Sequence, residues 1–578
     1  MRHWNQADGG SRRFFLGGWA ALVLAAAVAA CDRAPTEPGE RLARPGGVSM
    51  TVTPACAGGG GTAHAGDSIT TAVAWGAGGN PHQVSQTVVV DAGGQLVIYP
   101  GAVICFQGGT GIRARNGGRV HARGSNTATI LMTAYDPANG WSGVELRDNP
   151  PVWNSYLTNV VMEHVASGST AVTSLDQHPV LIDSAVVRQT GQALRLLAPF
   201  SRVSRSRVDT TTDGTRPAVA IGDSVIWQRV DLRGAAGVGV RVEGTVGVYL
   251  LGGRIIGSGG VGLQVPSRSA VQGAAPVRVT GGAVHGAELS AGAFAVIYPN
   301  LTDQDSLLGN ARDTLYMTGD TLTERVIARA VLPWHVRAPV YVESGGEVLA
   351  QPGARLSFDA GTGIELRWAL LQARGTPAAP VLFTADDPAL GWSGMEIVFG
   401  DSSYLTNVRI EHVDASHTAV YAAFTPLVID SAVFRQVGNA VQMWGGGASI
   451  SRTRVDTTLA GGWAVSLAYD TRIESTLIRA SAGTGLLLWD TDVQVVSCEV
   501  RDAGWAGIQM FYETTVHDCN LVNNAGPGID NMFGTTADVT NVWWGDAAGP
   551  NGTNGDGAAG DLNYTPWRTT PFVLPYVP

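Results

Sequence analysis

Two kinds of side chain in this chain of 578 residues could act on a ligand: acids beside histidine or beside each other, and a series of aromatic rings. Glu163-His164 and Glu411-His412 each put a carboxylate beside an imidazole, two groups that serve in general acid–base catalysis. Asp386-Asp387 is the only adjacent pair of carboxylates, and carboxylate pairs cleave glycosidic bonds. The rings could stack on sugars or bury against a partner.

The acidic pairs lie in β-prone runs, where neighbouring residues point to opposite faces of a strand. The glutamate and histidine of one pair therefore cannot act on one substrate atom, and the two aspartates converge only if they lie in a turn. Both halves of the chain carry the Glu-His pair at one register, which favours a role in building the fold. Only Asp387 holds a repeated position, because the first half has Tyr135-Asp136 at the equivalent place. We predict no catalytic residue.

The aromatic residues lie in the second β-prone run of successive coils in the C-terminal half. The row comprises Trp444, Trp489 and Phe511, with Tyr469, Tyr512 and Phe533 one step away. Alternation places the first three rings outward on one face, and the corresponding first-half positions carry no ring. Rings at multiples of about 4.8 Å could bind successive sugars of a glycan or a partner surface. The alternative is that a long loop or a neighbouring corner covers them.

The sequence contains an internal duplication. Residues 156–160 with Glu163-His164 return as 404–408 with Glu411-His412, and the Gly-Trp-Ser-Gly of 140–143 returns at 391–394. The two copies stay colinear through several elements. Self-similarity of this length indicates a repeat architecture.

A shorter period runs inside each copy. One polar slot recurs about every 22 residues, and each occurrence is followed by a small or glycine-rich corner and a second alternating run. The slot comprises Asn407, Ser431, Thr453, Thr476, Cys498, Cys519 and Asn541. Because such a coil buries its apolar face only against its neighbours, we predict an all-β parallel β-helix solenoid with about 22 residues per coil. The polar slot would form a hydrogen-bonded ladder along the stack.

Composition agrees with a solenoid and excludes some partners. The chain has 76 glycines without a three-residue period, and only 15% of its residues are charged. The net charge is −10 and every basic residue is an arginine. We therefore expect no groove for nucleic acid. We also predict a monomer.

The N-terminus predicts export. Arg12 and Arg13 precede an apolar stretch at 14–30, which indicates a signal peptide over 1–31. Residues 28–31 resemble the lipobox of bacterial lipoproteins, which implies lipidation of Cys31, and 11–16 resemble the twin-arginine export motif. The Pro- and Gly-rich residues 32–66 predict a disordered tether. The expected location is the bacterial cell envelope, with membrane contact only through the lipid anchor.

The body divides into four predicted parts. They are module 1 at 67–290, an irregular junction at 291–337, module 2 at 338–550 and a C-terminal cap at 551–578. The weakened alternation of the junction leaves open whether the modules form one solenoid or two abutting ones.

Cysteines and aspartates suggest local cross-links. Cys498 and Cys519 are expected in adjacent coils, either as a disulfide or as two reduced ladder residues, and Cys56 and Cys105 could also pair. Near the C-terminus, calcium ligands are possible, although turns explain the same residues without a metal. These candidates are Asp546, Asp556 and Asp561. We predict no other cofactor.

The C-terminal segment carries a family resemblance. Residues 543–550 read Trp-Trp-Gly-Asp-Ala-Ala-Gly-Pro and are followed by Gly560-Asp561 and the Tyr-Thr-Pro-Trp of 564–567. This resembles the closing segment of bacterial right-handed parallel β-helix repeat proteins of the pectate-lyase-like superfold, and it implies a right-handed coil. The resemblance covers roughly residues 67–578 but does not imply an activity, because the superfold hosts lyases, hydrolases and adhesins.

These observations predict a cell-envelope lipoprotein whose β-helix body binds a polysaccharide or another surface partner, or has a structural or adhesive role. The alternative is a polysaccharide lyase or glycoside hydrolase on the same scaffold. An enzyme needs acids that converge on one groove, whereas a binding protein needs only the aromatic row.

Overall fold

The structure is a computed structural model that describes residues 55–56, 60–148, 154–512 and 514–574. The predicted signal peptide, Cys31 and most of the predicted tether lie outside the described residues. A strand at Thr62–Ala65 pairs with His82–Gln86, so the tether prediction is wrong for its last residues, where the first coil begins.

The described chain winds into a parallel β-solenoid, which confirms the predicted all-β architecture. About 21 coils of about 23 residues follow one another, and the strands of one coil pair in parallel with those of the next. Alternation sets the inside and the outside: Val88 and Val90 are buried, whereas Val89 between them is half-buried. Equivalent inward residues pack on one another, so one apolar core runs through the body.

Four stacked sheets and one short pair contain the strands. The continuous sheet comprises Ser68–Ile69, Val88–Val90, Gly111–Ala114, Gly143–Leu146, Thr170–Ser174, Gln192–Leu196, Val219–Ile221, Val240–Val242, Leu263–Val265, His285–Leu289, Arg312–Met317, Trp334–Val336, Arg355–Phe358, Val381–Ala385, Val408–Glu411, Val433–Val437, Arg454–Thr458, Leu477–Arg479, Glu499–Arg501 and Asn520–Val522. The N-terminal sheet comprises Thr62–Ala65, Ala72–Trp75, His82–Gln86, Gln95–Ile98, Val103–Phe106, Arg119–Arg123, Ile130–Ala134, Ser155–Thr158, Val160–Glu163, Val180–Asp183, Val186–Thr190, Arg202–Ser204, Arg207–Thr211, Ile226–Arg233, Val248–Ile256 and Val271–Thr280.

Two further sheets lie in the C-terminal half of the body. The eleven-stranded sheet comprises Asp320–Leu322, Val340–Val342, Ile364–Arg367, Met395–Val398, Thr418–Ala423, Asn439–Trp444, Trp463–Ala468, Thr484–Leu488, Ile508–Met510, Ile529–Asn531 and Ala558–Ala559. The nine-stranded sheet comprises Arg325–Ala328, Glu347–Ala350, Leu370–Arg374, Ser403–Thr406, Leu427–Asp430, Ser449–Ser451, Arg472–Glu474, Gln494–Val496 and Thr515–His517. Ala537–Asp538 and Leu562–Asn563 form the short pair.

Helices are few and short. The α-helices are Ala291–Ile297 and Leu301–Gln304, and the 3-10 helices are Ala77–Gly79, Arg268–Ala270, Asp305–Leu307 and Gly549–Asn551. None of the helices in the described part of the chain is long and apolar enough to span a membrane.

The predicted polar ladder merges two neighbouring columns, so the prediction of a single ladder is wrong. Asn407, Ser431 and Asn541 lie at a corner with positive φ, a conformation that short polar residues tolerate. The other members lie one position further along the coil and are fully buried. These are Thr453, Thr476, Cys498 and Cys519. Because the coil length varies by a residue or two, the sequence spacing between polar residues cannot distinguish two adjacent columns.

The buried column hydrogen-bonds along the stack. Thr453 Oγ1 donates to the carbonyl of Ser451 in its own coil at 2.8 Å and accepts from the amide of Ala432 in the preceding coil at 3.4 Å. Cys519 Sγ takes the same place, donating to the carbonyl of His517 at 3.1 Å and accepting from the amide of Cys498 at 3.3 Å. Each cysteine therefore replaces a threonine in the ladder.

One of the two possible disulfides is formed. Cys56 and Cys105 are bonded, whereas Cys498 and Cys519 are free and buried, so the disulfide alternative for the second pair is not adopted. Burial raises the pKa of the Cys519 thiol far above its ordinary value, which keeps the thiol protonated as a donor.

The junction is shorter than the predicted 291–337. The Ser290 side chain accepts from the amide of Ala293 and caps the helix Ala291–Ile297, whose residues are almost all buried. Regular strands resume at Arg312–Met317. That strand pairs on one side with His285–Leu289 and on the other with Trp334–Val336, so the continuous sheet runs through the junction and the two modules form one solenoid.

The duplication and the stacking are out of phase by one strand. Trp334–Val336 is the repeat equivalent of His82–Gln86, the first strand of a coil in module 1. In space it instead continues the sheet that contains Val88–Val90, the second strand of that coil. Equivalent positions of the two modules therefore lie on different faces of the solenoid.

The ladder makes a prediction for Cys519. Cys519→Val removes the acceptor of the buried Cys498 amide and should lower the free energy of unfolding by about 1–3 kcal/mol, whereas Cys519→Ser keeps the acceptor and should cost less. Chemical denaturation measures the difference. Alkylation under denaturing conditions followed by peptide mass spectrometry should find both thiols free; a peptide cross-linked through Cys498 and Cys519 would contradict the ladder assignment.

Acid should destabilise the fold before the carboxylates titrate. Burial lowers the pKa of His178 to about 4, and its Nε2 lies 2.8 Å from Ser155 Oγ. An unfolded histidine binds a proton near pH 6.5, so stability should fall between about pH 6.5 and 4, by up to about 3 kcal/mol for this group. Denaturation midpoints across this range measure the loss. His178→Gln should remove part of it, since burial also lowers the pKa of His285 to about 4, whereas His417→Gln, at an exposed residue, should not. A profile unchanged by His178→Gln would contradict this.

Candidate functional site

Aromatic side chains follow the strands of the eleven-stranded sheet in two adjacent columns, Trp489 and Phe511 in one and the remaining rings in the other, and we call this set the aromatic corner. It comprises Trp368, Phe399, Phe424, Tyr469, Trp489, Phe511, Tyr512 and Phe533. All except the half-buried Phe511 are exposed. Contiguous exposed apolar surface on a soluble body marks an interaction site, which makes this corner the candidate site.

Backbone pairing places the first three rings above one another. The amides of Trp368 and Phe399 donate to the carbonyls of Val398 and Ala423 in the next coil, at 3.2 and 3.1 Å. Ring centroids of Trp368 and Phe399 are 5.3 Å apart, and those of Phe399 and Phe424 are 5.6 Å apart. The ring planes are within 19° and 3° of parallel, so the rings form a face-to-face stack.

A second stack lies towards the C-terminal end of the corner. Trp489 and Phe511 are parallel within 4° at 4.4 Å, and Tyr512 and Phe533 are parallel within 3° at 5.8 Å. Trp489 is also held by its indole nitrogen, which donates to Ser466 Oγ at 3.1 Å. Within a stack the faces cover one another and the edges point outward. A ring face is open to a ligand only where a stack ends.

The backbone at the first stack is unfavourable for aromatic residues. Trp368, Phe399 and Phe424 have φ of 56°, 55° and 53°, in the left-handed region that bulky residues rarely adopt. The residues at the same repeat positions of module 1 are Asn116, Asp148 and Asp176, with φ of 49°, 53° and 56°. Module 2 therefore replaces short polar residues that suit this corner by rings that cost about 1–2 kcal/mol each in backbone strain. Such strain is typical of functional positions.

The sequence predicted part of this column. Of the predicted rings, Tyr469, Tyr512 and Phe533 are well exposed, whereas Trp444 is half-buried and its Nε1 is buried without an acceptor. The alternation argument favoured Trp444 because it assumed that the strand continues, but the strand Asn439–Trp444 ends there and the chain turns.

Sequence reasoning missed Trp368, Phe399 and Phe424. The signal that would have found them is the duplication itself, since each aligns with an asparagine or aspartate of module 1. Three successive replacements of turn-forming residues by rings are not expected from packing alone.

Three carboxylates border the aromatic corner along the chain. Asp401, Asp470 and Asp490 each follow one of its rings within two residues. Asp401 and Asp470 are exposed. This rim offers hydrogen-bond acceptors and repels anions.

The Glu-His pairs do not point to opposite faces, so that prediction is wrong. The strand Val160–Glu163 ends at the glutamate, and His164 has a φ of 59° that turns its ring back. His164 Nδ1 lies 3.7 Å from Glu163 Oε1. In module 2 the same pair borders a cavity of about 390 Å³, which is also lined by Arg435, Gln436, Asp456 and Thr457.

Asp456 of this cavity is paired with arginines. Glu411, Arg435 and Asp456 occupy one register position in three successive coils. Burial alone would raise the pKa of Asp456, but hydrogen bonds from Arg479 and Arg454 outweigh it and hold the pKa below its ordinary value. Asp456 is therefore an ionised carboxylate and not a proton donor at neutral pH.

The same charge ladder recurs in module 1. Glu163, Arg188 and Asp209 occupy one register position, and Arg188 Nε donates to Glu163 Oε2 at 2.8 Å. A feature present in both modules at one repeat position fits a role in holding neighbouring coils together.

One group in the described part of the chain brings three potential metal ligands within 4.8 Å of one another: His335, Asp359 and Asp386. His335 Nε2 lies 2.7 Å from Asp359 Oδ1, and His335 Nδ1 lies 3.5 Å from Asp386 Oδ1. The carboxylates thus face opposite nitrogens of one imidazole, whereas a metal would need both near the same nitrogen. This geometry fits an imidazole that links carboxylates of the two following coils.

The calcium candidates do not form a common site. Asp546 Oδ1 accepts from the amide of Ala548 at 2.9 Å, and Asp561 Oδ2 accepts from Thr536 Oγ1 at 2.8 Å. Asp556 is buried, which raises its pKa, and it accepts from Asn524. Asp546 closes a local turn, whereas Asp556 and Asp561 each accept a hydrogen bond from a residue distant in the sequence.

Comparison with known proteins agrees with this architecture. Residues 396–543 match the family model described as "Right handed beta helix region". The body is a right-handed parallel β-helix. The matched part of the β-helix spans the coils from Phe399 to Phe533 and so contains most of the aromatic corner, with Trp368 outside it. No curated protein sequence matches the chain significantly.

Replacing a corner ring should leave the β-helix stable. Phe424→Asn relieves about 1–2 kcal/mol of left-handed strain and removes one stacking contact of about 0.5–1.5 kcal/mol. The free energy of unfolding should therefore stay within about 1 kcal/mol of the unchanged protein by chemical denaturation. Phe434→Ala, at a fully buried ring, should cost about 3–5 kcal/mol and is the control. A comparable loss in Phe424→Asn would mean that the corner rings hold the fold together.

Proposed function

We propose that this protein is an exported, lipid-anchored β-helix that binds a neutral glycan along its aromatic corner. The observation that carries the proposal is the exposed ring column at strained corner positions, where the equivalent positions of module 1 have Asn or Asp. The backbone strain opposes folding, and the exposed rings contribute little to the stability of the fold. A binding role explains why rings occupy these positions.

The chemistry of the corner favours a sugar. A pyranose has an apolar C–H face that packs on an aromatic ring, and its hydroxyls donate hydrogen bonds to carboxylates. Asp401, Asp470 and Asp490 supply such acceptors beside the rings. The same carboxylates would repel a uronic acid or a phosphorylated glycan, so the proposal is confined to neutral glycans.

The proposed location rests on the sequence of the leader. The lipobox-like residues 28–31 and the arginine pair Arg12-Arg13 support export and lipidation at Cys31. The Pro- and Gly-rich segment that follows would let an anchored body reach a surface polysaccharide.

Catalysis is not favoured at the candidate acids. Glu411 and Asp456 lie in a charge ladder with Arg435 that also exists in module 1, and the pKa of Asp456 is held low by its arginine partners. Glycoside hydrolysis needs one carboxyl that donates a proton. We assign these residues to coil packing.

A glycan array tests the proposal. The full-length protein, purified in detergent, should bind one class of neutral polysaccharide and should not bind uronic-acid or phosphorylated glycans. Combining Phe399→Ala, Tyr469→Ala and Tyr512→Ala should weaken binding at least tenfold, since each stacking contact is worth about 0.5–1.5 kcal/mol.

Phe200→Ala provides the matched control. Phe200 is 63% exposed at a corner of module 1 with a φ of 64°, outside the aromatic corner, so its loss should leave binding unchanged. The proposal fails if no neutral glycan binds, or if the triple variant binds as well as the unchanged protein.

A further inference from the structure

Two buried histidines lie at the N-terminal end of the solenoid. His64 belongs to the strand Thr62–Ala65, and His82 begins the neighbouring strand His82–Gln86. Both rings are buried, and Trp75 packs against both, with ring centroids 4.2 and 5.4 Å away. In the described part of the chain, Thr62–Ala65 is the terminal strand of its sheet. The two histidines therefore link the edge strand to the rest of the solenoid.

The outer nitrogen of each ring has to be a hydrogen-bond donor. His64 Nδ1 lies 2.6 Å from Asp67 Oδ2, and His82 Nε2 lies 2.9 Å from the carbonyl oxygen of Gly76. A carboxylate and a carbonyl only accept hydrogen bonds, so both of these nitrogens carry a hydrogen. A neutral imidazole has one such hydrogen. If both rings are neutral, His64 Nε2 and His82 Nδ1 are therefore acceptors without a hydrogen.

These two remaining nitrogens face each other. His64 Nε2 lies 3.2 Å from His82 Nδ1. The ring planes are within 24° of parallel and the centroids are 5.4 Å apart, nearly the largest separation that this nitrogen contact permits, so the rings lie end to end. Two lone pairs in this position repel each other. One added proton converts the contact into a charge-assisted N–H···N hydrogen bond.

A metal ion does not fit between the two nitrogens. An ion on the line that joins them would have bonds of about 1.6 Å, half of the nitrogen separation, whereas zinc–histidine bonds are about 2.0–2.1 Å long. An ion beside that line would need both lone pairs to point towards it, but they point at each other. A single proton is the ligand that this geometry accommodates.

The surroundings place the added proton on His64. The Asp67 carboxylate accepts from His64 and supplies the opposite charge, whereas His82 faces the neutral carbonyl of Gly76. Burial lowers the pKa of His82, the hydrogen bond to Gly76 offsets this only in part, and the charge of His64 lowers the pKa further. Trp75, the third ring of the cluster, does not titrate. Within the described residues, no other titratable side chain bonds to either histidine.

We propose that the first coil is closed by a single proton shared between His64 and His82, which makes the N-terminal end of the solenoid a pH-sensitive closure. As the pH rises and this proton is lost, one ring has to turn away and the edge strand opens. The Cys56–Cys105 disulfide ties the chain before Thr62–Ala65 to a later coil, so the opening stays local. The proposal is independent of glycan binding.

Hydrogen exchange of the full-length protein in detergent tests the closure. After correction for the intrinsic exchange rate, protection of the Thr62–Ala65 amides should fall at least about tenfold between about pH 6.5 and 9, because a charge-assisted hydrogen bond is replaced by repulsion. His82→Gln should remove this dependence, since its amide both donates and accepts and does not titrate. His121→Gln, at a half-buried histidine of a later coil, should retain it and is the matched control.

Two exchange results would overturn the proposal. One is protection of the edge strand that stays constant over this range in the unchanged protein, and the other is a pH dependence that His82→Gln retains in full. Thermal denaturation shows whether the variants fold.

Nitrogen NMR of the unchanged protein, labelled with ¹⁵N-histidine, gives a readout that needs no folded variant. At about pH 6, both ring nitrogens of His64 should carry a hydrogen, whereas His82 should carry one on Nε2 alone. By about pH 9, the second hydrogen of His64 should be lost. Two neutral rings at about pH 6, or two charged rings, would contradict the shared proton.

Discussion

The parallel hydrogen bonds between successive coils are the interaction on which the rest of this structure depends. They hold each residue above its equivalent at a spacing of about 4.8 Å, so every side chain belongs to a column. Inside the solenoid, the apolar columns form one continuous core. At the corners the same spacing brings like groups together. The buried ladder of Thr453, Cys498 and Cys519 results from this spacing. A thiol can replace a hydroxyl there because both groups donate and accept hydrogen bonds.

The aromatic corner follows from the same constraint. Rings repeated at the coil spacing have to lie nearly parallel and cover one another, as Phe399 and Phe424 do at 3°. A column of rings therefore presents edges, and a free face arises only where the column is interrupted. Gly445 is such an interruption, between Phe424 and Tyr469.

The two modules show which parts of a coil are constrained by folding. The ladder of Glu163 and Arg188 returns as Glu411 and Arg435, because it links strands whose spacing is fixed. The corner positions have diverged, since a left-handed corner requires only a residue that accepts positive φ. Module 1 meets this requirement with short polar residues, whereas module 2 keeps strained rings. Because the stacking shifts by one strand at the junction, the polar corner of module 1 and the aromatic corner of module 2 lie on different faces of the solenoid.

The sequence by itself determined the parallel solenoid, the coil period, the duplication and the presence of an aromatic row in module 2. These properties are periodic, so they can be counted along the chain. It did not separate the column of Asn407 from that of Thr453, because adjacent positions share nearly the same period. It did not find Trp368 and Phe424, because a corner breaks the alternation from which exposure was inferred. Only the tertiary structure decided which positions stack. Pairing between coils depends on where each strand ends, and the sequence around a strand does not fix that end.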